Sequence, residues 1–350
     1  MVQYGCSDGM GAEMGIAEDL AFLYSEAEAT HSCVVARDCG MRNALDRRVA
    51  RGDAVKLLPG LYQRASYWER LDRDARERHI IQGVADQDCS HIFCFTSAAR
   101  IHGLEVSHLL PRDVHIACAK TRRHGRLVRH DVPVQDACTV GFLRVTPLVQ
   151  TVFDCIRSLS FPPALGIADS ALRLTGRLAG DFADEMACCC KGRCGMARAL
   201  TIMALADGRA ENGGESYARA VMLEHGVMVP DLQVEHWDRI GGGMFRTDFE
   251  WAELPAGDVA GELDGVGKTE DQAMLGDRTI RDALRDERLR ESRLTALGLK
   301  VARFSFAQVR AVGPLLRILD GFGVPRDAQN AVVLPNAFVP SRGTDYSRYR

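Results

Sequence analysis

Three carboxylates in the second half of the chain are spaced so that they can share one site. Asp248 lies in the segment RTDFEW, and Glu262 and Asp264 follow, two residues apart, in GELDGVGK. If both segments are strands, Glu262 and Asp264 point to one face, and a hairpin brings Asp248 beside Glu262. Converging carboxylate oxygens are the ligands that Mg²⁺ and Mn²⁺ prefer. The spacing predicts a metal site built from Asp248, Glu262 and Asp264.

Two further residues complete the predicted catalytic set. Glu215, on a predicted helix ahead of the strands, can add a carboxylate, and Lys268 can orient water or neutralise a phosphate. A divalent ion in such a site activates water and stabilises the charge that builds on a phosphate during in-line displacement. The predicted chemistry is phosphodiester hydrolysis, with these catalytic residues: Asp248, Glu262, Lys268 and Glu215. The alternative is an ordinary surface turn, because Asp264-Gly265 is also a common turn pair.

The charge around these acids is arranged in two blocks. Residues 245–271 contain eight acidic residues and two basic ones, whereas residues 278–310 contain nine basic residues and four acidic ones. An acidic pocket approaches DNA only if nearby cations offset the repulsion. We therefore expect the basic block to contact phosphate through Arg288, Arg290 and Arg293. The alternative is a solvated helix face with ion pairs four residues apart.

A second candidate DNA-binding surface lies near the N-terminus. Residues 31–64 hold seven basic residues against three acidic ones. Four polar side chains there are spaced so that a helix can present them to a major groove: Arg42, Asn43, Arg47 and Arg51. Lys56, in the hairpin that follows, is placed for phosphate contact. The basic stretch 112–130 can extend this footprint or bind a protein partner, and for each stretch a solvated surface is the alternative.

The N-terminal elements must position that surface. Apolar residues at helical spacing predict a helix within the first thirty residues, and two short helices separated by Gly40 are predicted between Val34 and Arg51. Alternation around the Pro59-Gly60 turn predicts a hairpin. The order helix, helix, helix, hairpin is that of a winged helix-turn-helix, which we predict over residues 13–66.

The middle of the chain mixes both kinds of element. A strand is predicted at 114–119, and helices are predicted at 97–102 and 148–157, within a mixed α/β domain that spans 67–180. The segment 181–210 has little apolar periodicity at its start and is predicted to be a linker. The predicted fold class is therefore a multidomain mixture of α+β and α/β units.

The carboxylates fall in a third predicted domain over 211–312. A helix at 215–225 is followed by strands at 232–238, 244–251 and 258–264, by a long charged helix at 279–297, and by a last strand at 299–306. The order is α-β-β-β-α-β. The polar tail over 325–350 is predicted to be loose.

Composition narrows the class of protein. The chain has 350 residues, of which 46% are hydrophobic and 26% charged, values that predict two or three folded domains and exclude a mostly disordered chain. No apolar run is long enough to cross a bilayer, and the N-terminus lacks the pattern of a secretory signal. We therefore expect a cytoplasmic protein that has no membrane partner. The twelve cysteines are then expected to be reduced thiols.

Two segments look like cofactor-binding motifs, but their residues are not arranged as such sites require. Three adjacent cysteines in CCCKGRC cannot easily share one tetrahedral site, so no zinc is predicted. The segment GVGK lacks the spacing of a phosphate-binding loop, so no nucleotide cofactor is predicted. The expected cofactor is therefore Mg²⁺ or Mn²⁺ alone.

The C-terminal segments resemble a known nuclease group. The runs ENGGESYARAVMLEHGV, LQVEH, RTDFEWAE, VAGELDGVGK and DERLRESRLTALGLKVARFSF are similar to small domains related to very-short-patch-repair endonucleases, in the PD-(D/E)xK restriction-endonuclease-like superfamily. The likeness covers about residues 211–310. It implies that Asp248 and Glu262 are metal ligands and that Glu215 is the helix acid. Position 264 is Asp where the superfamily has Lys, and Lys268, four residues further on, is the expected substitute.

The N-terminal half resembles a different family. The run VVARDCGMRNALDRRVARGDAVKLLPGLYQRA is similar to the winged helix of type IV abortive-infection antitoxins, the AbiEi family. The pieces FTSAARIHGLE, VHIACA and RVTPLVQTVFDCIRS match the domain that follows it in many actinobacterial homologues, so the likeness covers about residues 15–175. It implies a bacterial protein whose winged helix binds promoter DNA and represses its own operon.

Three functions compete at this point. The first is a metal-dependent DNA endonuclease guided to double-stranded DNA by the winged helix. The second is a non-catalytic transcriptional autoregulator of a type IV toxin–antitoxin system, which the lysine replacement at position 264 favours. The third is a protein that engages a cognate toxin through residues 72–175.

Overall fold

The computed structural model describes residues 8–120, 122–134, 136–238, 242–264, 292–339 and 345–349. The described residues form a mixed α/β structure with three sheets. It divides into two compact units: unit 1 comprises Met1–Ile101 with Arg112–Pro147, and unit 2 comprises His102–Pro111 with Leu148–Arg350. This division falls at residue 147, inside the predicted middle domain, and does not follow the predicted limits at 66 and 180.

Unit 1 begins with a small sheet between helices. The elements are α1 (Asp8–Ala29), β1 (Val34–Val35), α2 (Cys39–Arg51), β2 (Ala54–Leu58) and β3 (Leu61–Arg64). The strand order is β1-β3-β2, and the predicted hairpin is confirmed as the antiparallel pair β2–β3.

The predicted pair of helices between Val34 and Arg51 is wrong. Val34 and Val35 form a strand paired with β3, as suits two β-branched residues whose partners are buried. Gly40 lies inside α2, which starts later because the Asp38 carboxylate accepts a hydrogen bond from the Met41 backbone N–H at 2.8 Å. The observed order is helix, strand, helix, hairpin.

The rest of unit 1 is built on a six-stranded sheet. Its helices are α3 (Ala65–Arg70), α4 (Arg73–Gln87) and α5 (Phe95–Ile101), and its strands are β4 (Ile92–Phe93), β5 (Val114–Cys118), β6 (Arg122–His124), β7 (Leu127–Asp131), β8 (Cys138–Val140) and β9 (Leu143–Val145). The strand order is β6-β7-β5-β4-β9-β8. The predicted strand at 114–119 and the predicted helix at 97–102 are confirmed.

Unit 2 contains a helical layer that includes the predicted linker. The helices are α6 (Leu148–Ile156), α7 (Phe161–Thr175), α8 (Ala179–Cys189) and α9 (Met196–Leu205), so the linker prediction for 181–210 is wrong. Phe182 and Met186, one helical turn apart on α8, are fully buried, as is Ile202 on α9. These apolar positions fix both helices in the core. The predicted helix at 148–157 is confirmed as α6.

A four-stranded sheet follows the helical layer. Helix α10 (Gly213–Glu224) precedes β10 (Asp231–Trp237), β11 (Met244–Trp251), β12 (Val259–Asp264) and β13 (Lys300–Ser305). The order is β10-β11-β12-β13; the first two pairings are antiparallel and β12–β13 is parallel. The predicted helix and all four predicted strands are confirmed. The predicted helix at 279–297 lies mostly outside the described residues, and 292–296 is helical.

The core of this part joins α10 to the sheet. Tyr217 and Val221 on α10 pack in one buried cluster with Phe249, Trp251 and Phe304 on the strands. The aromatic rings of Phe249 and Phe304 lie 5.9 Å apart between centroids. This packing fixes the first turn of α10 relative to the strands, because helix and sheet share one apolar layer.

The chain ends in two short helices and an irregular segment. Helices α11 (Phe306–Ala311) and α12 (Gly313–Phe322) follow β13. The prediction of a loose tail is wrong for the described residues: the Val332 N–H donates to the Leu223 carbonyl at 2.9 Å, the Phe338 N–H donates to the Arg157 carbonyl at 2.8 Å, and Tyr346 is buried. Within the described ranges, no helix has the length and apolar character that crossing a membrane requires.

Candidate functional site

The strands bring two of the predicted acids together. Strands β11 and β12 pair with Phe249 opposite Gly261, so one residue further along Asp248 stands level with Glu262. The Asp248 carboxylate accepts a hydrogen bond from the Leu263 backbone N–H at 2.9 Å. Its carboxyl group therefore lies against β12 beside Glu262, which is buried.

Asp264 has a different environment from these two acids. The guanidinium of Arg303, on the neighbouring strand β13, donates to the Asp264 carboxylate from Nη2 at 2.5 Å and from Nε at 3.1 Å. This charge-assisted pair neutralises Asp264 and competes with a metal ion for its oxygens. The predicted ligand Asp264 is thus held as the partner of an arginine.

Glu215 lies in the first turn of α10 and is buried. Its carboxylate accepts hydrogen bonds from the Glu211 N–H at 2.7 Å, from Asn212 Nδ2 at 2.5 Å and from Gln233 Nε2 at 3.1 Å. Burial, with a smaller contribution from the charge of Asp248, raises the pKa of Glu215 to about 7 against the lowering effect of its hydrogen bonds. The structure therefore places Glu215 close enough to Asp248 for their charges to interact.

Gln233 is a site residue that the sequence did not reveal. It stands opposite Asp248, between the pairs Leu232–Phe249 and Val234–Thr247, and it donates to Glu215. Its backbone has a φ of 52°, a left-handed conformation that is strained for a residue with a Cβ. Only the register of the strands could have placed it there, because no motif surrounds it.

Glu105, an acidic residue that the sequence did not reveal as part of the site, fixes the start of α10. Glu105 accepts a hydrogen bond from the Gly213 N–H at 2.5 Å and pairs with Arg173 on α7 at 2.6 Å. Asn212 caps the helix by accepting from the N–H groups of Gly214 and Glu215. These contacts fix the first turn of α10, which carries Glu215.

Asp248 and Glu262 supply some, but not all, of the ligands that a metal ion needs. Among the described residues, no group of three or more His, Cys, Asp and Glu side chains is arranged to hold a metal. Asp248 and Glu262 supply oxygen donors of the right chemistry, and Mg²⁺ is commonly held by one or two carboxylates with water completing its shell. The donor set that fits is therefore Asp248 and Glu262.

Of the predicted basic residues of unit 2, three lie outside the described residues and one, Arg293, lies within them. Lys268, Arg288 and Arg290 lie outside the described residues. Arg293 is described, and its Nη1 lies 3.3 Å from a carboxylate oxygen of buried Asp238. Arg293 therefore anchors its own segment to the end of β10, which limits how far it can reach toward a phosphate.

The predicted DNA-binding residues of unit 1 lie on α2 and on strand β2. Four of them are exposed and follow helical spacing: Arg42, Asn43, Arg47 and Arg51. Lys56 on β2 is also exposed, but its ammonium pairs with Asp46 of α2 at 2.9 Å. This hydrogen bond raises the pKa of Lys56 and lowers that of Asp46. The net positive charge of the surface therefore comes from the arginines.

Comparison with known proteins finds relatives that match part of the chain. No protein-family model matches the chain, and no solved structure matches it. It is 31% identical over 216 residues to the uncharacterized protein MT2308 of Mycobacterium tuberculosis strain CDC 1551 / Oshkosh, and equally to the uncharacterized protein Rv2248 of strain ATCC 25618 / H37Rv. Each match covers 61% of this chain and 75% of the relative. The chain belongs to the same family as these uncharacterized mycobacterial proteins.

Proposed function

We propose that the protein is a metal-dependent DNA endonuclease whose nuclease site lies on the four-stranded sheet of unit 2. The observation that carries this proposal is the level placement of Asp248 and Glu262 on neighbouring strands, with buried Glu215 beside them. The sheet also has the strand directions that an α-β-β-β-α-β core requires, with a parallel last pair. This arrangement supports a PD-(D/E)xK-like site.

Each side chain then has a distinct role. Asp248 and Glu262 would hold Mg²⁺ or Mn²⁺, which supplies water activation and stabilisation of phosphate charge when bound. Glu215 has a pKa near neutrality and is placed to exchange a proton or position water close to Asp248. Gln233 fixes the Glu215 carboxylate by hydrogen bonding. Lys268, Arg288 and Arg290 remain proposed as the cationic partners.

DNA binding by unit 1 forms the second part of the proposal. The exposed side of α2 presents Arg42, Asn43, Arg47 and Arg51, and the β2–β3 hairpin follows as a wing. A single helix with arginines on one side can lie in a major groove while the hairpin contacts the backbone. The proposed substrate is double-stranded DNA in the bacterial cytoplasm, where the described cysteines, none of which forms a disulfide, would stay reduced.

The test is cleavage of supercoiled plasmid and of a branched or mismatched duplex, each with Mg²⁺, Mn²⁺ or chelator. The wild-type protein is compared with the double variant Asp248→Ala/Glu262→Gln. The matched control is Glu235→Gln, which removes an exposed carboxylate from neighbouring strand β10. We expect cleavage that needs metal, is lost in the double variant and persists in the control.

The outcome that contradicts the proposal is equally specific. Absence of cleavage under all these conditions, with DNA binding intact, would remove the nuclease assignment. Cleavage that survives the double variant would show that another site, or a contaminant, is responsible. Circular dichroism of each variant excludes loss of folding as the cause.

A second candidate is a non-catalytic regulator of a type IV toxin–antitoxin system. The Arg303–Asp264 pair favours this regulator, because Asp264 stands at the position where the superfamily has its catalytic lysine and is bound by an arginine. In this case the sheet of unit 2 is a binding module, α2 binds the promoter, and residues 72–175 engage a cognate toxin. Repression of its own promoter in a reporter strain, together with co-purification of a neighbouring nucleotidyltransferase-type toxin, would support this function.

A further inference from the structure

A cleft in unit 1 is surrounded by more arginines than acidic residues. It lies between α4, α5 and the start of β5 and opens to solvent, with room inside for about one water molecule. Arginines at and beside it form what we call the arginine cluster: Arg73, Arg100, Arg112, Arg123 and Arg126. Two buried carboxylates, Glu77 and Asp113, lie among them.

The carboxylates orient part of the cluster. Arg123 donates to both oxygens of Asp113, at 2.8 and 3.0 Å, in the planar two-bond geometry of a guanidinium fork. Arg100 pairs closely with Glu77. Because each of these acids is buried and engaged by an arginine, the two are largely neutralised by Arg100 and Arg123.

Arg112 and Arg126 have weaker compensation. The nearest carboxylate contact of Arg112 is to Glu77 Oε1, at 3.9 Å, the outer limit of an ion pair. Arg126 donates from Nε at 2.7 Å to the backbone carbonyl of Arg112, which carries no charge. Burial lowers the pKa of Arg126, and burial with the nearby charge of Arg112 lowers that of Arg73.

We propose that the arginine cluster is a binding site for a phosphate group, held between Arg112 and Arg126 at the mouth of the cleft. Arg112 and Arg126 feel the charge of the nearby carboxylates, but their recorded hydrogen bonds and contacts include no hydrogen bond to one. Partly desolvated guanidinium groups of this kind gain most from an anion that accepts several hydrogen bonds. A phosphate offers such oxygens, and Glu77 and Asp113 keep the surrounding arginines in place. The narrow floor, lined by Ile80, Ser97 and Val114, leaves the rest of the ligand outside.

The phosphate can come from two sources with the same chemistry. One is free orthophosphate or a small phosphomonoester, and the other is the backbone of a nucleic acid. Arg112 and Arg123 are 38% and 44% exposed, so a backbone phosphate can reach the cluster from solution. Neither source involves the acidic site of unit 2, so this inference is independent of the proposed nuclease activity.

The experiment uses the full chain and the double variant Arg112→Gln/Arg126→Gln. Its matched control is Arg70→Gln/Arg78→Gln, which removes two exposed arginines from the same unit. One arm measures the melting temperature in orthophosphate and in chloride at equal ionic strength. The other measures binding of a short duplex by fluorescence anisotropy. Far-UV circular dichroism verifies that every protein is folded.

We expect orthophosphate to raise the melting temperature of the wild type and of the control by about 2–4 °C over chloride, and to have no effect on the double variant. If only duplex affinity responds, falling about tenfold or more in the double variant relative to the control, the site takes a backbone phosphate. Both results support a phosphate site. Equal behaviour of the two double variants in both arms would overturn it.

Discussion

The Asp248 carboxylate on β11 accepts a hydrogen bond from the backbone N–H of Leu263 on β12, at 2.9 Å. This bond continues the pairing of the two strands by one step, with a side chain in place of a backbone carbonyl. It holds Asp248 level with Glu262 without using the Glu262 side chain. Asp248 therefore has a structural role in joining the two strands that does not depend on binding a metal.

That structural role can be measured with two substitutions. Asp248→Asn keeps an oxygen that can accept from the Leu263 N–H, whereas Asp248→Ala leaves that donor without this partner. We expect Asp248→Ala to lower the free energy of unfolding by about 1–2 kcal/mol more than Asp248→Asn does. Urea unfolding of both variants, in chelator, is the measurement. Equal stabilities would show that the bond contributes nothing.

The raised pKa of Glu215 predicts the direction in which the stability of the protein changes with pH. Burial raises its folded-state pKa from 4.5 to about 7, so the charged form is disfavoured in the folded protein. Above pH 4.5 the unfolded chain releases this proton before the folded chain does, and stability falls as pH rises to about 7. The total loss is on the order of 3 kcal/mol. Below pH 4.5 the penalty disappears.

The variant Glu215→Gln should therefore change the pH dependence of stability. Glutamine does not titrate, so we expect the stability of the variant relative to wild type to increase between pH 5 and pH 8, whatever its offset at pH 5. Urea unfolding at both pH values, in chelator, measures the change. Exposed Glu235→Gln serves as control and should show almost none. A constant difference for Glu215→Gln would contradict the raised pKa.

The C-terminal sheet was predictable because its signals are local. The sequence predicted one helix and four strands that match α10 and β10 to β13, and the two-residue spacing predicted that Glu262 and Asp264 share a strand. Gln233, Glu105 and Arg303 were not predictable in the same way. Their roles depend on partners 15 or more residues away, which only strand register and helix packing bring together.

The linker prediction failed for a physical reason of another kind. Segment 181–210 contains four cysteines, and its apolar residues show little helical periodicity at its start. Phe182 and Met186 on α8, and Ile202 on α9, nevertheless suffice, because each inserts fully into a core supplied by neighbouring helices. Tertiary packing outweighs weak local periodicity in such helices.

A buried ion pair joins α7 to α10 and should dominate the stability of unit 2. Arg219 donates to both carboxylate oxygens of Asp169, at 2.7 and 2.8 Å, and both side chains are buried. Asp169→Ala would leave the arginine charge buried without its carboxylate, so we expect a loss of about 3–5 kcal/mol in urea unfolding. Asp320→Ala, which breaks an exposed pair with Arg326, should cost about 1 kcal/mol or less. Similar losses in both variants would show that Asp169 is not effectively buried.

Gly226 anchors the last segment of the chain and tolerates no side chain. Its φ is 69°, and a Cβ there would collide with the backbone carbonyl oxygen of Asp327, whose N–H donates to the Gly226 carbonyl. We expect Gly226→Ala to cost more than about 2 kcal/mol, by displacing the segment. Gly176→Ala is the control, since it has a φ of 65° and open space, and should cost about 1–2 kcal/mol. Thermal unfolding compares them, and equal shifts would argue against the contact with Asp327.

The proposed DNA contact of α2 leads to a prediction that distinguishes its arginines from Lys56. Arg47 is exposed, whereas the Lys56 ammonium is paired with Asp46 at 2.9 Å, so binding a phosphate would require Lys56 to give up part of that contact. We expect Arg47→Gln to weaken duplex binding and to reduce the slope of log affinity against log salt by about 1. Lys56→Gln should change both quantities less. Anisotropy titrations at several salt concentrations measure the two slopes. A larger effect of Lys56→Gln would mean that the Asp46 pair opens on DNA and that the hairpin, not α2, makes the main backbone contact.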